Sequence, residues 1–366
     1  MDVKEMEQVE NGFLFSQVSQ LGHEQVVFCH DEPTGLKAII GIHNTVLGPA
    51  LGGTRMWNYQ NEQEALTDVL RLSRGMTFKA AISGLNLGGG KAVIIGDASK
   101  MKTEAFLRRF GKFVESLGGK YITAEDVNMK TRDMEYIAME TRHVTGLPEV
   151  RGGGGDPSPV TAYGTYMGMK ATAKKVYGND SLNGKKIAVQ GVGQVGMYLV
   201  EHLTKENAEV YITDISEEKL QQISKKYGCK VVGMDEIYDL DMDIYAPCAL
   251  GATLNDDTIP RLKCQMVAGA ANNQLADEKK HGYMLMDKNI AYAPDFLINA
   301  GGLINVYEEF LGNYNRESAY RQAENIYTTC LNILNVAEQE RISSQEAAIK
   351  LAEKRISDIG KVRLPR

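Results

Sequence analysis

Gly191-Val192-Gly193-Gln194-Val195-Gly196 is the stretch whose reading decides the fold of this chain. It follows an apolar run, Lys186-Ile187-Ala188-Val189-Gln190, and opens a helical pattern over residues 195–203. G-x-G-x-x-G spacing alone is weak evidence, but a strand before it and a helix after it are the context that a dinucleotide site requires. The first glycine permits the tight turn, the second lets backbone approach a pyrophosphate, and the third lets helix and strand pack closely. The phosphates then sit at a helix N-terminus, where free N–H groups and the helix dipole favour anions. Asp214 ends the next strand pattern, 18 residues beyond Gly196, where a carboxylate accepts hydrogen bonds from ribose hydroxyls and repels a 2′-phosphate. Two further carboxylates, Glu217 and Glu218, follow it and no arginine does, so NAD is expected rather than NADP, with Lys219 the one contrary sign. The bland alternatives are a ligand-free turn and, for Asp214, a helix cap.

Outward from this motif, strand and helix patterns alternate at residues 209–213, 217–227, 242–247 and 265–268. That alternation predicts a Rossmann-type, doubly wound parallel sheet. The first half also reads as α/β, with strands at 25–29, 36–43, 91–95 and 121–123 and helices at 62–79 and 103–117. A chain of 366 residues suggests two domains. Arg151-Gly152-Gly153-Gly154-Gly155-Asp156-Pro157 is the sharpest change in composition and reads as a flexible boundary, or else as an ordinary surface loop. The expected division is therefore a substrate domain at 1–150 and a dinucleotide domain at 151–335. Helical periodicity runs throughout 318–358, and the C-terminal helix, about 335–366, is open to packing back on the first domain.

The net charge of -6 supplies no basic footprint for nucleic acid or anionic lipid. No run reaches the roughly 18 to 20 apolar residues of a membrane span, and the acidic, mixed N-terminus lacks the pattern of a secretory signal. Five scattered cysteines without C-x-x-C argue against disulfides and zinc and for a reducing cytoplasm. The six histidines form no metal-binding pair, so no metal is expected.

Two lysines stand in glycine-rich, otherwise apolar surroundings: Gly75-Met76-Thr77-Phe78-Lys79 ends a helix pattern, and Gly88-Gly89-Gly90-Lys91 opens a strand. A P-loop is excluded, since Leu85 stands where it needs glycine and Ala92 where it needs a hydroxyl. Partly desolvated lysines near one another disfavour each other's charge, so one can serve as a base near neutral pH. Asp126, after a strand end, could pass protons beside them. Taken singly, a strand-start lysine is usually solvated and such an Asp often caps a helix.

With these residues in view, the chain resembles the glutamate, leucine, phenylalanine and valine dehydrogenase family, nearest to its leucine dehydrogenases. The resemblance runs through Gly48-Pro49-Ala50-Leu51-Gly52-Gly53-Thr54-Arg55, both lysine segments and Tyr121-Ile122-Thr123-Ala124-Glu125-Asp126. It continues through Pro159-Val160-Thr161-Ala162-Tyr163-Gly164, the glycine fingerprint, Ala270-Ala271-Asn272-Asn273-Gln274 and Ile298-Asn299-Ala300-Gly301-Gly302. It implies NAD-dependent, reversible oxidative deamination of an L-amino acid to a 2-oxo acid and ammonia by a homo-oligomer, often an octamer. By the same resemblance, Lys79, with backbone at Gly52 and Gly53, binds the substrate carboxylate. Lys91 is the acid/base acting through a water, Asp126 relays protons at the substrate nitrogen, and Thr161 and Asn273 lie by the nicotinamide. The domains are expected to close about a hinge near the glycine run.

Glutamate-specific members of the family carry a lysine where this chain has Leu51, so an apolar substrate side chain is expected, unless Leu51 is merely a core residue. Ala124 and Asn299-Ala300 resemble the leucine type, whereas Leu303 and residues 152–155 resemble the phenylalanine type. Leucine and other branched-chain amino acids are the expected substrates, with phenylalanine or valine dehydrogenase the alternative. A catalytically silent, NAD-responsive binding protein is the rival from another class. Its sign would be loss of Lys79, Lys91 or Asp126, and all three are present.

Overall fold

The computed structural model describes residues 13–249 and 251–362. The chain divides into two compact units, Met1–Ala81 with Asn86–Gly153 and Ile359–Arg366, and Ile82–Leu85 with Gly154–Asp358.

The first unit contains α1 (Phe13–Leu21), β1 (Gln25–Asp31), β2 (Leu36–Asn44), β3 (Ala50–Trp57), α2 (Glu62–Ile82, most of its length), β4 (Gly88–Ile95), α3 (Glu104–Ser116), β5 (Tyr121–Glu125) and α4 (Thr131–Ile137). Its five strands run in the order β1-β2-β4-β3-β5. β1, β2 and β4 pair antiparallel, while β4, β3 and β5 run parallel. Strand side chains alternate between faces, and β2 shows what that does. Ala38, Ile40 and Ile42 join a core with Phe106, Leu107, Phe110 and Val114 of α3, while Ile39 joins Leu66, Val69 and Leu70 of α2 on the other face. Each large apolar side chain so buried contributes roughly 1.5–3 kcal/mol. The Thr103 hydroxyl caps α3 by accepting from the Phe106 N–H.

The second unit contains α5 (Ser158–Tyr177), β6 (Lys186–Gln190), α6 (Gln194–Lys205), β7 (Glu209–Thr213), α7 (Glu217–Tyr227), β8 (Lys230–Val231), β9 (Ile244–Pro247), β10 (Met266–Val267), α8 (Glu278–Asp287), β11 (Ala291–Tyr292), α9 (Asp295–Ile298), α10 (Gly301–Phe310), α11 (Arg316–Glu340) and α12 (Ser344–Gly360, through Asp358). Its sheet is wholly parallel, in the order β11-β10-β9-β6-β7-β8. That is the dinucleotide-binding order, with its switch point between β6 and β9.

Several sequence expectations need correction. The pattern over 318–358 is two helices, because Arg341 ends α11 in a left-handed conformation (φ 57°). No boundary falls at 335, which lies inside α11. The C-terminal helix belongs with the second unit as far as Asp358. There the Ser344 hydroxyl donates to the Tyr292 carbonyl at 2.6 Å, and Arg355 donates to the Leu85 and Gly84 carbonyls at 2.7 and 3.1 Å. Those two bonds hold the turn Ile82–Leu85 in the same unit. The glycine run read as flexible is packed. A Cβ on Gly153 would lie 1.7 Å from the Leu147 carbonyl oxygen, and one on Gly154 would lie 2.5 Å from Asn305 Nδ2. The division between units falls between these two glycines.

Candidate active site

Each unit assembles one group of candidate residues. In the first, the pairing of Ala50 with Gly88 and of Thr54 with Ala92 sets Gly53 level with Lys91. β5 in turn sets Ala124 opposite Gly53 and Ile122 opposite Leu51. Alternation therefore gives Leu51, Gly53 and Arg55 of β3, Lys91 of β4 and Ala124 of β5 one common face. It is the face covered by α2, since Val93, two residues beyond Lys91, packs with Val69 and Leu70.

Glycines make this arrangement possible. A Cβ on Gly52 would lie 1.7 Å from the Gly90 carbonyl oxygen, and one on Gly53 would lie 2.5 Å from the Glu125 carbonyl oxygen and 2.8 Å from Asp126 Cβ. The Tyr121 hydroxyl donates to the Gly52 carbonyl at 2.6 Å and fixes that strand from the opposite face. Gly89 lies under α2, where a Cβ would come within 2.2 Å of the Thr77 N. Thr77 also bonds His43 Nδ1 at 2.7 Å, while His43 Nε2 lies 3.0 Å from the Leu21 carbonyl. A carbonyl only accepts, so Nε2 carries the hydrogen and the Thr77 hydroxyl donates to Nδ1. Burial lowers the His43 pKa to about 4, so the ring is neutral at neutral pH. These contacts anchor the last turns of α2, which present Lys79, half-buried.

Lys91 is 6% exposed, and its ammonium donates to Asp126 Oδ2. The same oxygen lies 3.4 Å from Arg55 Nε. Burial would raise the Asp126 carboxyl, but the charges of Lys91 and Arg55 outweigh it and hold the group below the usual carboxylate range. Arg55 is held in turn by Asp68 of α2, 3.0 Å from its Nη1, and Asp68 Oδ2 also accepts from the Tyr59 hydroxyl at 2.6 Å. The structure thus joins Lys91 to Asp126 and sets both beside Gly53, with buried Leu51 and Ala124 on the same face. Sequence reasoning gave Arg55 no role. Its signal was present, because Gly53 and Arg55 are two apart on a strand and must share a face.

In the second unit, the fingerprint glycines fall into two kinds. Gly191 has φ 98°, and its Cβ would lie 2.8 Å from Ala249 N, while a Cβ on Gly196 would lie 2.1 Å from the Gly191 carbonyl oxygen. The protein itself requires both. Gly193 has ordinary φ (-63°), and a Cβ there would meet nothing within 4 Å. Neither strain nor packing explains it, and its bare backbone faces open space. Asp214, at the end of β7, accepts from the Val192 N–H at 2.8 Å and from the Ser216 N–H at 2.9 Å. Two bonds leave acceptor capacity on its oxygens for ribose hydroxyls. Gln194 and Val195 open α6 as expected.

The remaining candidates lie among segments that the second unit joins. A Cβ on Gly301 would lie 2.1 Å from the Val160 carbonyl oxygen, which brings the start of α10, with buried Leu303, against the start of α5. Thr161, on α5, donates to the Pro157 carbonyl at 2.9 Å. Asn299 Nδ2 donates to Asn272 Oδ1 at 2.9 Å and ties the loop of Asn273 to the end of α9. Asn273 is exposed and left-handed (φ 52°). Among the described residues no group of three or more His, Cys, Asp or Glu side chains is arranged to hold a metal ion.

Comparison with known families gives two matches. The description "Glu/Leu/Phe/Val dehydrogenase, dimerisation domain" matches residues 23–143, and "Glutamate/Leucine/Phenylalanine/Valine dehydrogenase" matches residues 152–216 and 211–363. The chain belongs to this family.

Among relatives, a leucine dehydrogenase of Thermoactinomyces intermedius is 54% identical over 350 residues, 96% of this chain and 95% of the relative. One from Bacillus subtilis is 54% identical over 94% of each chain. The solved L-tryptophan dehydrogenase of Nostoc punctiforme superposes with a TM-score of 0.85 at 46% identity, covering 96% of this chain and all of that one. The protein is an amino acid dehydrogenase. In such a dehydrogenase, an ammonium paired with a carboxylate on a sheet face suits proton transfer, and an open glycine turn suits the oxidant.

One variant separates the fingerprint's two jobs. Gly193→Ala is expected to melt within about 0.5 kcal/mol of the parent, while NAD affinity falls roughly tenfold or more, equivalent to about 1.4 kcal/mol of lost phosphate contact. Calorimetric titration with NAD checks this, and unchanged affinity would remove Gly193 from the cofactor site.

Proposed function

We propose that this dehydrogenase oxidises L-leucine and other branched-chain L-amino acids with NAD, reversibly, to 2-oxo acids and ammonia. Leu51 carries the substrate reading. It is 2% exposed and shares a sheet face with Gly53, Lys91 and Ala124. A carboxylate side chain buried against it would lack a partner. The 54% identity to two leucine dehydrogenases supports the same choice. Ala124, small and buried, lies on that same sheet face.

NAD, when bound, supplies the hydride acceptor. Gly193 offers its backbone to the phosphates, Val192 and Asp214 keep that turn in shape, and Asp214 turns away a 2′-phosphate. Lys79 and backbone at Gly52 and Gly53 hold the substrate carboxylate. Lys91 takes a proton from the water that adds to the substrate's imine carbon, and Asp126 takes or returns a proton at the substrate nitrogen. Thr161 and Asn273, in the second unit, are the proposed neighbours of the nicotinamide.

The dehydrogenase is proposed to act as a homo-oligomer, with an octamer as the specific expectation. β1 forms an outer edge of its sheet with Phe28 55% exposed, within the segment matched as a dimerisation domain. Light scattering reads the subunit number. A reducing cytoplasm is the proposed compartment, because all five thiols are unpaired. Among the described residues no helix is long and apolar enough to cross a membrane.

The test is NADH formation from NAD with leucine, valine, phenylalanine, tryptophan and glutamate in turn. The highest kcat/KM is expected for leucine, with overlap onto valine, because a methylene-scale difference in a pocket is worth only about 1–3 kcal/mol. A preference for phenylalanine would make Leu303 the better guide, and no NADH from any of the five would favour a binding protein.

A further inference from the structure

Asp126 faces two cations, and only one of them has been given work. Lys91 and Arg55 both approach Oδ2, Lys91 from β4 by hydrogen bond and Arg55 from β3 with Nε at 3.4 Å. Arg55 Nε is buried and makes no well-aligned hydrogen bond of its own. Its Nη1 is held at 3.0 Å by Asp68. The guanidinium therefore stays beside Asp126 without capturing it, so the carboxylate bonds Lys91 while its charge is shared.

We propose that Arg55 is a positioning residue that sets the protonation of Lys91 through the carboxylate they share. A base must lose its proton near working pH, yet a buried lysine bonded to a lone carboxylate is held as its ammonium. Arg55 offsets part of the Asp126 charge and repels the Lys91 ammonium directly, and both effects favour the neutral amine. An arginine suits this task because it stays protonated throughout the pH range of the reaction.

The charged and titratable groups around the pair come from four elements. β3 supplies Arg55, β4 supplies Lys91, β5 supplies Tyr121 with Asp126 just beyond its end, and α2 supplies Asp68, with Tyr59 shortly before it and Lys79 in its last turn. Burial and, for Tyr59, the bond to Asp68 push both phenols far above their ordinary range. Asp68 pulls in the opposite sense to Arg55: its carboxylate bonds the guanidinium at Nη1 and draws part of its field away.

This inference rests on Lys91 being the acid/base group, and the experiment separates the two claims. The pH profile of kcat/KM for leucine oxidation is measured for the parent, Arg55→Gln, Arg55→Lys, Asp68→Asn and Lys91→Ala, with thermal melting as the folding control. The acidic limb reports the group that must be deprotonated in free enzyme or substrate.

Arg55→Gln is expected to move that limb up by roughly one pH unit, the scale for a charge within about 4–6 Å, with activity recovering at higher pH. Arg55→Lys should return it most of the way. Asp68→Asn should move it down, which keeps the proposal testable should Arg55→Gln not fold. A limb that stays put while kcat falls at every pH would show a merely structural Arg55 and overturn the proposal. Retained activity in Lys91→Ala would overturn the acid/base reading instead.

Discussion

Lys91→Ala is expected to fold, to bind NADH, and to lose at least roughly two orders of magnitude in turnover, the scale of general acid/base effects. Folding should survive because the side chain's ionic partner is not orphaned. Asp126 keeps Arg55 at 3.4 Å and is itself only partly buried, so no unpaired charge is trapped in the core. Cofactor binding should survive because Gly193, Val192 and Asp214 belong to the other unit. Chemistry should not survive, since Lys91 is the group proposed to take the proton from the attacking water. Thermal melting, NADH fluorescence titration and single-turnover deamination read the three properties separately. Near-normal turnover would sink the assignment of Lys91, and a collapsed melting temperature would mean that the ion pair is structural.

Gly52→Ala should be the most damaging small substitution at the site. Its Cβ would stand 1.7 Å from the Gly90 carbonyl oxygen and 2.6 Å from that carbonyl carbon, and backbone in a paired strand cannot swing aside as a side chain can. β3 and β4 would have to separate, which would also displace the carbonyl that accepts from Tyr121. A loss above about 4 kcal/mol is expected, enough to leave little folded protein. Gly75→Ala is the matched control: it lies in the interior of α2 with nothing within 4 Å of its added methyl. Helix propensity alone then favours alanine by about 0.5–1 kcal/mol. Denaturant unfolding of both variants checks the contrast. A stable Gly52→Ala protein would mean that the strands do not approach as described.

The fold was legible where its determinants are local. The turn at Gly191 and the strands either side of it come from consecutive residues, and β6, β7 and α7 fall where the apolar pattern puts them. β3 was harder to see as a strand, because Gly52 and Gly53 have no side chains to show alternation and glycine is a poor strand former. α5 gave no clean stripe. Its buried residues Val160, Ala162, Gly164, Thr165, Gly168, Met169, Ala171, Thr172 and Ala173 lie around much of its circumference, so no polar face marks the period. The start of β4 at Gly88 rather than Lys91 has the same cause as β3, a run of glycine that only pairing with neighbours turns into strand.

By itself the sequence determined the kind of cofactor turn, the α/β character of both halves, and the residue types needed for the chemistry. Each of these depends on neighbours a few positions apart, within reach of one turn or one helical period. Only the tertiary structure decided which charges meet. Arg55, Asp68, Lys91 and Asp126 are 13 to 71 positions apart, and sheet register with the packing of α2 brings them together. The pairing of Lys91 with a carboxylate that Arg55 also approaches is written in hydrogen-bonded strands, and no spacing along the chain encodes it.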